Sequence, residues 1–263
     1  MDTARVIDHI TNWLKAYCLE NRQKGFVIGI SGGIDSAVTS ALCAQTGSPV
    51  LCVEMPIHQA ATQVTRGQEH IAWLKEHYPL VGNTVVDLTT TFETMVAALP
   101  TDANAEVIEL ARANTRARLR MATLYYMAGL HGYLVAGTGN KVEDFGVGFF
   151  TKYGDGGVDL SPIADLTKTE VYELAKELGI VQSIQDAAPT DGLFGDSRTD
   201  ADQIGATYPE LEWAMELRAS GRVDLNALDQ RQLAVLAIYD QRHNANKHKM
   251  APIPVCVIPA EFR

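Results

Sequence analysis

Cysteine is scarce in this chain of 263 residues, and its four cysteines include no C-x-x-C pair and no cluster with histidine. This spacing argues against the common structural zinc and iron–sulfur motifs, which need paired ligands. Cys43, Cys52 and Cys256 each lie between apolar neighbours. We therefore predict that these three are buried as small hydrophobic side chains and are not catalytic thiols.

Basic charge is also in short supply, with 22 Lys and Arg against 32 Asp and Glu and a formal net charge of −10. Neutralising a nucleic-acid backbone requires a surplus of Lys and Arg, so no nucleic-acid partner is expected. No apolar run approaches the ~18–20 residues that cross a bilayer, and residues 1–6 lack the basic-then-apolar order of a signal peptide. The sequence predicts a cytoplasmic protein without a membrane partner.

The chain does contain a regular alternation of short apolar runs and longer amphipathic segments. The runs predict strands at 26–30, 50–55, 84–88 and 133–138, and the segments between them predict helices at 35–45, 60–77 and 105–130. Apolar strands that alternate with helices are typical of βαβ units around a buried parallel sheet. We predict an α/β fold in which residues 1–263 form a single domain: a doubly wound, mostly parallel sheet with helices on both faces.

Three stretches depart from this alternation. Residues 139–160 are rich in glycine and predict a shaped loop, and residues 189–205 predict a mobile segment. Near the C-terminus a helix is predicted ahead of a basic cluster that includes His248 and Lys249.

The turn after the first predicted strand, Ser31-Gly-Gly-Ile-Asp-Ser36, carries the strongest chemical signal. In a doubly wound sheet, ligands bind beyond the carboxyl ends of the strands, often at a helix N-terminus. The two glycines allow backbone N–H groups to approach an anion, and the serine hydroxyls are suited to phosphate oxygens. Asp35 would repel a phosphate unless a magnesium ion lies between them. Neither the lysine-containing P-loop pattern nor G-x-G-x-x-G fits this turn.

The turn resembles the S-G-G-x-D-S signature of the pyrophosphate-loop ATP pyrophosphatases, which cleave ATP to AMP and pyrophosphate while adenylating a substrate oxygen. Within that superfamily the chain resembles the ammonia-dependent NAD synthetases over most of its length. Six segments carry the resemblance in order: 29–36, 114–121, Gly137-Thr138 with Glu143, 148–157 with Asp159, Pro189-Thr190 and His248-Lys249. One such motif would be suggestive, whereas six in this order are specific.

This resemblance implies a two-step reaction. The carboxylate of deamido-NAD attacks ATP to form an acyl-adenylate and release pyrophosphate, and ammonia then displaces AMP to give NAD. It also implies Mg²⁺ as the metal and a homodimer that pairs through the long helix predicted at 105–130. No separate glutaminase domain and no cysteine in a nucleophile context are recognised, so the expected nitrogen source is free ammonia or ammonia from a separate protein.

The resemblance assigns roles to individual residues. Asp35 and Glu143 are expected to hold the magnesium ion and, with Lys168, to form the catalytic set. The expected ATP-binding residues are Gly29, Ile30, Ser31, Gly32, Gly33, Ile34, Asp35, Ser36, Thr138, Lys168 and Thr190. The expected substrate-binding residues are Arg118, Lys152, Asp159, His248 and Lys249.

Two local features qualify these assignments. Arg116, Arg118 and Arg120 follow one another at steps of two on a predicted helix, so neighbouring side chains point to nearly opposite sides and at most one or two can meet a ligand. The interval from Glu143 to Lys152 is one residue longer than in many relatives, which affects the expected loop geometry.

Two kinds of alternative stay open. One is another amidating or thiolating ATP pyrophosphatase, such as a GMP synthetase core or a tRNA-modifying thiolase, and the acidic charge and missing C-x-x-C pair disfavour the thiolase. The other is a non-catalytic nucleotide-binding module on the same fold. The presence of both Asp35 and Glu143 disfavours this module, because a sensor has no need for a metal-bound leaving group.

Overall fold

A parallel sheet forms the centre of the computed structural model, which describes residues 1–190, 199–221 and 224–263. Its strands are β1 (Phe26–Gly29), β2 (Val50–Glu54), β3 (Val81–Val85) and β4 (Leu134–Val135). They lie in the order β3-β2-β1-β4, and Phe26 pairs with Val50 on one side and with Leu134 on the other. The strand order therefore reverses between β1 and β4, which is where a doubly wound sheet opens a crevice for a ligand.

Helices alternate with these strands along the chain. They are α1 (Thr3–Glu20), α2 (Ile34–Gln45), α3 (Ala61–His77), α4 (Thr89–Ala97), α5 (Ala105–His131), α6 (Lys168–Glu177), α7 (Gln182–Gln185), α8 (Asp200–Ile204), α9 (Tyr208–Ala219) and α10 (Gln230–Met250). A π-helix spans Val142–Val147, and 3₁₀ turns lie at Leu225–Ala227 and Ala260–Phe262.

Each face of the sheet is covered by helices. Phe26 and Ile28 of β1 pack with α1, α2, α3 and α6 on one face. Val27 of β1 and Val53 of β2 pack with α4 and α5 on the other. Burial on both faces explains why β1 and β2 read as continuous apolar runs. The predicted doubly wound α/β fold is confirmed.

The two edge strands differ from their predicted positions. β3 lies at Val81–Val85 and not at 84–88. Val81 is its one buried residue, and an edge strand need not be a continuous apolar run, so the apolar pattern did not locate it. β4 is limited to Leu134–Val135, and Ala136 continues it only as an isolated parallel bridge to Leu160.

The prediction that residues 139–160 form only a loop is wrong, because Val142–Val147 form a π-helix. Val142 and Val147 are buried against α9 and α10 in an apolar cluster separate from the sheet. A π-helix closes its hydrogen bonds over one more residue than an α-helix. Packing of Val142 and Val147 in this cluster outweighs the glycine-rich composition of the segment.

Two further C-terminal predictions need correction or restriction. Helix α10 runs on through the basic cluster, and Lys247, His248 and Lys249 form its last turn, where positive charge interacts favourably with the helix dipole. Of the predicted mobile segment 189–205, residues 191–198 lie outside the described residues.

Cys43 and Cys52 are buried as predicted, whereas the prediction for Cys256 is wrong. Cys256 is exposed because residues 251–263 lie on the outside of the fold and bury no side chain. None of the helices within 1–190, 199–221 and 224–263 combines enough length with enough apolar character to cross a bilayer.

A buried histidine connects α3 to α2. His70 has no exposed surface, and its Nε2 lies 2.9 Å from Oγ of Ser40. The Ser40 hydroxyl also lies 2.8 Å from the carbonyl of Ser36 and 3.0 Å from that of Ala37. Among the described residues, Nδ1 of His70 has no hydrogen-bond partner. Burial lowers the pKa of His70 to about 4.

We expect this histidine to make the fold less stable in acid. Between its ordinary pKa of 6.5 and the folded-state pKa of about 4, the unfolded chain binds a proton at His70 that the folded chain does not. The free energy of unfolding therefore falls as the pH falls through this window, by about 3 kcal/mol in total. Urea unfolding at a series of pH values measures the slope.

The substitution His70→Gln, which keeps an N–H donor but does not titrate, should flatten that slope. His9→Gln, at an exposed position of α1, should leave it unchanged. Identical pH slopes in His70→Gln and the unmodified protein would contradict the prediction.

Candidate active site

Every residue predicted to bind ATP lines one cavity at the carboxyl edge of the sheet. This cavity has a volume of about 240 Å³ and lies where β1 ends, at the reversal of strand order. Its lining includes Gly29, Ile30, Ser31, Gly32, Gly33, Ile34, Asp35, Ser36, Thr138, Lys168 and Thr190, together with Glu143. The structure thus gathers segments that are far apart in the sequence around one space.

The phosphate loop, residues 31–36, opens helix α2. Gly33 is the N-cap of α2 and provides no side-chain oxygen for the N–H groups of the first turn, which suits them to an anion. Oγ of Ser31 lies 3.2 Å from Oγ of Ser36 and accepts from the Gly33 N–H at 3.2 Å. The Ser36 hydroxyl donates to the Gly33 carbonyl at 3.0 Å. These hydroxyls hold the turn in shape and lie beside its N–H groups.

Lys168 joins the two predicted metal ligands. Its Nζ lies 2.6 Å from Oδ2 of Asp35 and 3.0 Å from Oε1 of Glu143, and the residue is only 4% exposed. The amide of Asn140 donates to the other oxygen of Asp35 at 3.3 Å. Lys168 begins α6, whose N-cap Thr167 forms a capping box that fixes this end of the helix. A cation at a helix N-terminus is unfavourable, and the two carboxylates offset that cost.

Charge is unevenly balanced around this lysine. Burial opposes the charged form of Lys168, but Asp35 and Glu143 outweigh it and hold the pKa of Lys168 well above its usual value. Burial raises the pKa of Asp144 to about 7, and the charges of Glu143, Asp155 and Asp35 add to this shift. Carboxylates therefore outnumber cations here, and the site favours an additional positive charge.

Asp35 and Glu143 fit a magnesium ion as a pair of ligands and not as a complete site. Within the described parts of the chain, no three His, Cys, Asp or Glu side chains are grouped so that they could hold a metal. Mg²⁺ is commonly bound by one or two carboxylates, with substrate phosphates and water completing its shell. The donor set and the surplus of negative charge both fit an ion that arrives with phosphates.

The residues predicted to bind the second substrate do not line this cavity. Four of them lie close together, because their side chains donate hydrogen bonds to backbone carbonyls in each other's segments. Arg118 donates to the carbonyl of Lys152 at 3.4 Å, and Nζ of Lys152 donates to the carbonyl of His248 at 3.3 Å. Nζ of Lys249 donates to the carbonyl of Phe150 at 2.6 Å. These contacts place a group of cationic side chains around the last turn of α10.

Asp159 lies apart from that cationic group. Its carboxylate accepts from the backbone N–H of Val135 at 2.8 Å and from the hydroxyl of Tyr125 at 3.1 Å. The side chain therefore closes the end of β4.

The three arginines of α5 point in different directions, as their spacing predicts. The guanidinium of Arg116 lies over the ring of Phe92 at 4.4 Å, and Arg118 reaches Lys152. Arg120, which the sequence did not assign to a ligand, lines the cavity and donates to the carbonyl of Met55 at 3.1 Å.

Sequence reasoning missed two residues that contact the catalytic set. Tyr208 donates a hydrogen bond to Glu143, and Oδ2 of Asp200 lies 2.9 Å from the same hydroxyl. The capping-box pattern from Thr207 to Glu210 is visible in the sequence and indicates a helix start. It does not show that the residue after the cap faces the site, because that depends on tertiary packing.

The chain is similar to known proteins over most of its length. The NAD synthase family model matches residues 6–252. The NH(3)-dependent NAD(+) synthetase of Carboxydothermus hydrogenoformans is 34% identical over 254 residues, which cover 94% of this chain and 96% of that protein.

Two solved structures share the fold over nearly the whole chain. The NMN synthetase from Francisella tularensis has a TM-score of 0.83 at 30% identity and covers 99% of both chains. The NH3-dependent NAD synthetase from Campylobacter jejuni has a TM-score of 0.78 at 22% identity, with 98% of this chain and 100% of that chain covered.

A doubly wound sheet with a phosphate-loop cavity at its switch point is the architecture of an α/β nucleotide-binding protein. The chain belongs to the NAD synthase family, a family of ligases that form a carbon–nitrogen bond. The family predicted from the six motifs is confirmed.

Proposed function

We propose that this chain is an ammonia-dependent NAD synthetase, which uses ATP to activate the carboxylate of deamido-NAD and then amidates it, releasing AMP and pyrophosphate. The observation that carries the proposal is the convergence of Asp35, Glu143 and Lys168 at the phosphate loop. A carboxylate lacks a good leaving group, and an acyl-adenylate provides one in AMP.

In this reaction the residues of the chain bind the charged phosphates of ATP and orient them. Backbone N–H groups of the first turn of α2 and the hydroxyl of Ser31 donate to phosphate oxygens. The Ser36 hydroxyl joins them when it turns from the Gly33 carbonyl to the phosphate. Lys168 brings an ammonium close to the phosphates, where negative charge grows as pyrophosphate leaves. Asp35 and Glu143 would hold a Mg²⁺ ion, which would neutralise more of that charge.

The acceptor is proposed to bind beside the ATP cavity. Arg118, Lys152, His248 and Lys249 supply positive charge for its phosphates, and the contacts between their segments keep them close together. Asp159 is assigned to the positively charged pyridinium ring. With no covalent link to the protein required, positioning of carboxylate, ATP and ammonia is the main contribution of the chain.

A second candidate is amidation of the mononucleotide counterpart, nicotinate mononucleotide. It is favoured by one observation: the Francisella NMN synthetase shares 30% identity and covers 99% of both chains. The two reactions share the carboxylate, the ATP chemistry and ammonia, and differ in whether the acceptor carries a second nucleotide.

The decisive experiment is an assay with purified protein, ATP, Mg²⁺ and ammonium, with either deamido-NAD or nicotinate mononucleotide as acceptor. We expect NAD, AMP and pyrophosphate in equal amounts, only when all components are present. A higher kcat/KM with the mononucleotide would favour the second candidate. ATP binding without turnover of either acceptor would indicate a non-catalytic module, and product from glutamine alone would contradict the use of free ammonia.

A homodimer is part of this proposal. Helix α5 exposes Val107, Leu110, Tyr126 and Leu130, so it presents apolar surface suited to a second copy. Light scattering should give twice the chain mass of 28.6 kDa. A monomeric mass at assay concentration would contradict it.

A further inference from the structure

Tyr208 contacts both charges of the candidate catalytic pair. Its hydroxyl donates to Oε1 of Glu143, and Nζ of Lys168 lies 4.6 Å from the centre of its ring. Oδ2 of Asp200 lies 2.9 Å from the same hydroxyl. Tyr208 is 7% exposed, so these contacts are made away from bulk water.

The backbone around Tyr208 is fixed. Tyr208 is the first residue of α9, directly after the N-cap Thr207, whose hydroxyl and N–H both donate to Glu210. Glu210 is in turn held by Arg231 of α10 at 2.7 Å. A tyrosine ring has two rotatable bonds, so a fixed backbone leaves its hydroxyl little freedom.

Helix α9 makes a second contact beside the catalytic lysine. The carboxylate of Glu212 accepts from the N–H of Thr169 at 2.9 Å and from its hydroxyl at 2.7 Å. Thr169 follows Lys168 in the first turn of α6. Two residues of α9 thus reach the segment that carries the lysine, one at the side chain and one at the backbone.

Glu143 needs such support because of the segment on which it lies. It belongs to the π-helix, a form that is uncommon and rarely longer than one turn. Val142 and Val147, which flank it, are buried against Tyr208 and its neighbours in the apolar cluster of α8, α9 and α10. The cluster thus positions the π-helix through packing, and Tyr208 positions the Glu143 carboxylate through a hydrogen bond.

In this arrangement the Tyr208 hydroxyl acts as a hydrogen-bond donor to the Glu143 carboxylate.

We infer that Tyr208 is a positioning residue for the amidation proposed above: its ring and hydroxyl hold Lys168 and Glu143 in the arrangement that receives the metal-bound phosphates of ATP. The inference rests on the proposed function and extends it to α9, which carries no recognised motif. Asp200 is the second carboxylate within hydrogen-bond distance of the Tyr208 hydroxyl.

The test is Tyr208→Phe, which keeps the ring over Lys168 and removes only the hydroxyl. We expect kcat to fall by about 10- to 100-fold, the range found when a residue that orients a metal ligand is replaced, with KM for ATP little changed. A second readout does not depend on turnover. In the unmodified protein, Tm should be higher with ATP and Mg²⁺ than with ATP alone. This difference should be smaller in the variant, because the stabilisation by a ligand follows its affinity.

Tyr239→Phe is the matched control. Tyr239 is buried in the same apolar cluster and stacks on His243. Its loss of a hydroxyl should leave kcat and the Mg²⁺-dependent rise in Tm unchanged.

If Tyr208→Phe does not fold, Asp200→Asn tests the same network, since it keeps Tyr208 and removes the negative charge that lies 2.9 Å from its hydroxyl and also acts on Lys168. We expect a loss of kcat in the same direction, by about 10-fold. The inference would be overturned if a folded Tyr208→Phe had the same kcat and the same Mg²⁺-dependent rise in Tm as the unmodified protein. The same result in Asp200→Asn, where that variant is used, would also overturn it. An unmodified protein that amidates neither acceptor would overturn the proposed function instead, and the Tm comparison would still test the positioning role.

Discussion

Replacing Lys168 with methionine should reduce kcat by at least about 100-fold, the scale seen when one transition-state donor is removed. The same change should lower the free energy of unfolding by about 3–5 kcal/mol near neutral pH, as is typical when one partner of a buried ion pair is lost. Methionine matches the length of the lysine side chain, so the loss of charge is separated from the loss of volume.

The physical reason for the destabilisation is the pair of carboxylates that would remain. Asp35 and Glu143 both face Nζ of Lys168, at 2.6 and 3.0 Å. Without the ammonium they repel each other in a buried site. Burial already raises the pKa of Asp35, against the opposing effect of Lys168, so removing the lysine raises it further.

This gives the pH dependence a definite sign. A carboxyl group whose folded-state pKa is raised above its unfolded value adds stability at low pH, and that contribution is lost as the pH rises through the folded-state pKa. The stability difference between Lys168→Met and the unmodified protein should therefore be larger at alkaline pH and smaller in mild acid. Urea unfolding at several pH values measures this difference.

Lys141→Met is the control for losing a lysine–carboxylate pair at the surface. Nζ of Lys141 lies 2.9 Å from Asp165, whose side chain is 98% exposed. Surface pairs contribute about 0–1 kcal/mol, so a small change in stability is expected. If Lys168→Met loses no more stability than Lys141→Met and keeps a normal kcat, then Lys168 has no buried, charge-balancing role.

The part of the site that could be predicted from sequence is the part carried by contiguous residues. The turn at residues 31–36 contains its own glycines, hydroxyls and carboxylate in a fixed order after an apolar strand. Its chemistry can therefore be predicted without knowledge of the packing around it. The same holds for β1 and β2, whose burial on both faces leaves a continuous apolar run.

The parts that escaped prediction depend on contacts between distant segments. The π-helix at Val142–Val147 forms because an apolar cluster from α8, α9 and α10 packs against it, and the local composition suggests only a loop. Tyr208 meets Glu143 across 65 residues of sequence. Helical spacing showed that Arg118 and Arg120 diverge, but the direction of the cavity, and hence that Arg120 lines it, required the tertiary structure.

Gly32→Ala is expected to have the largest effect of any single methyl group added to the phosphate loop. Gly32 has a φ of +78°, and an added Cβ would lie 2.3 Å from the backbone oxygen of Gln63 in α3. A left-handed conformation costs a residue with a Cβ about 1–2 kcal/mol, and overpacking adds about 1–3 kcal/mol. The loop and α3 must therefore move apart.

That movement should disable ATP binding and not only weaken the fold. Gln63 and Arg66 of α3 line the cavity, and Nε of Arg66 donates to the carbonyl of Gly32 at 3.2 Å. Displacing this wall by an ångström shifts the phosphates relative to Lys168. We expect kcat/KM for ATP to fall by about 100-fold, since misplacement of that size is costly in a preorganised site.

Gly47→Ala separates the two causes. Gly47 also has a left-handed φ of +73°, but among the described residues no atom lies within 4 Å of its added Cβ. It should show the conformational strain alone, about 1–2 kcal/mol, with normal kinetics. Thermal unfolding and steady-state kinetics on both variants decide the matter. If the two lose equal stability and both keep normal kcat/KM, then the contact between Gly32 and Gln63 does not shape the cavity, and the phosphate loop must be held in place from its other side.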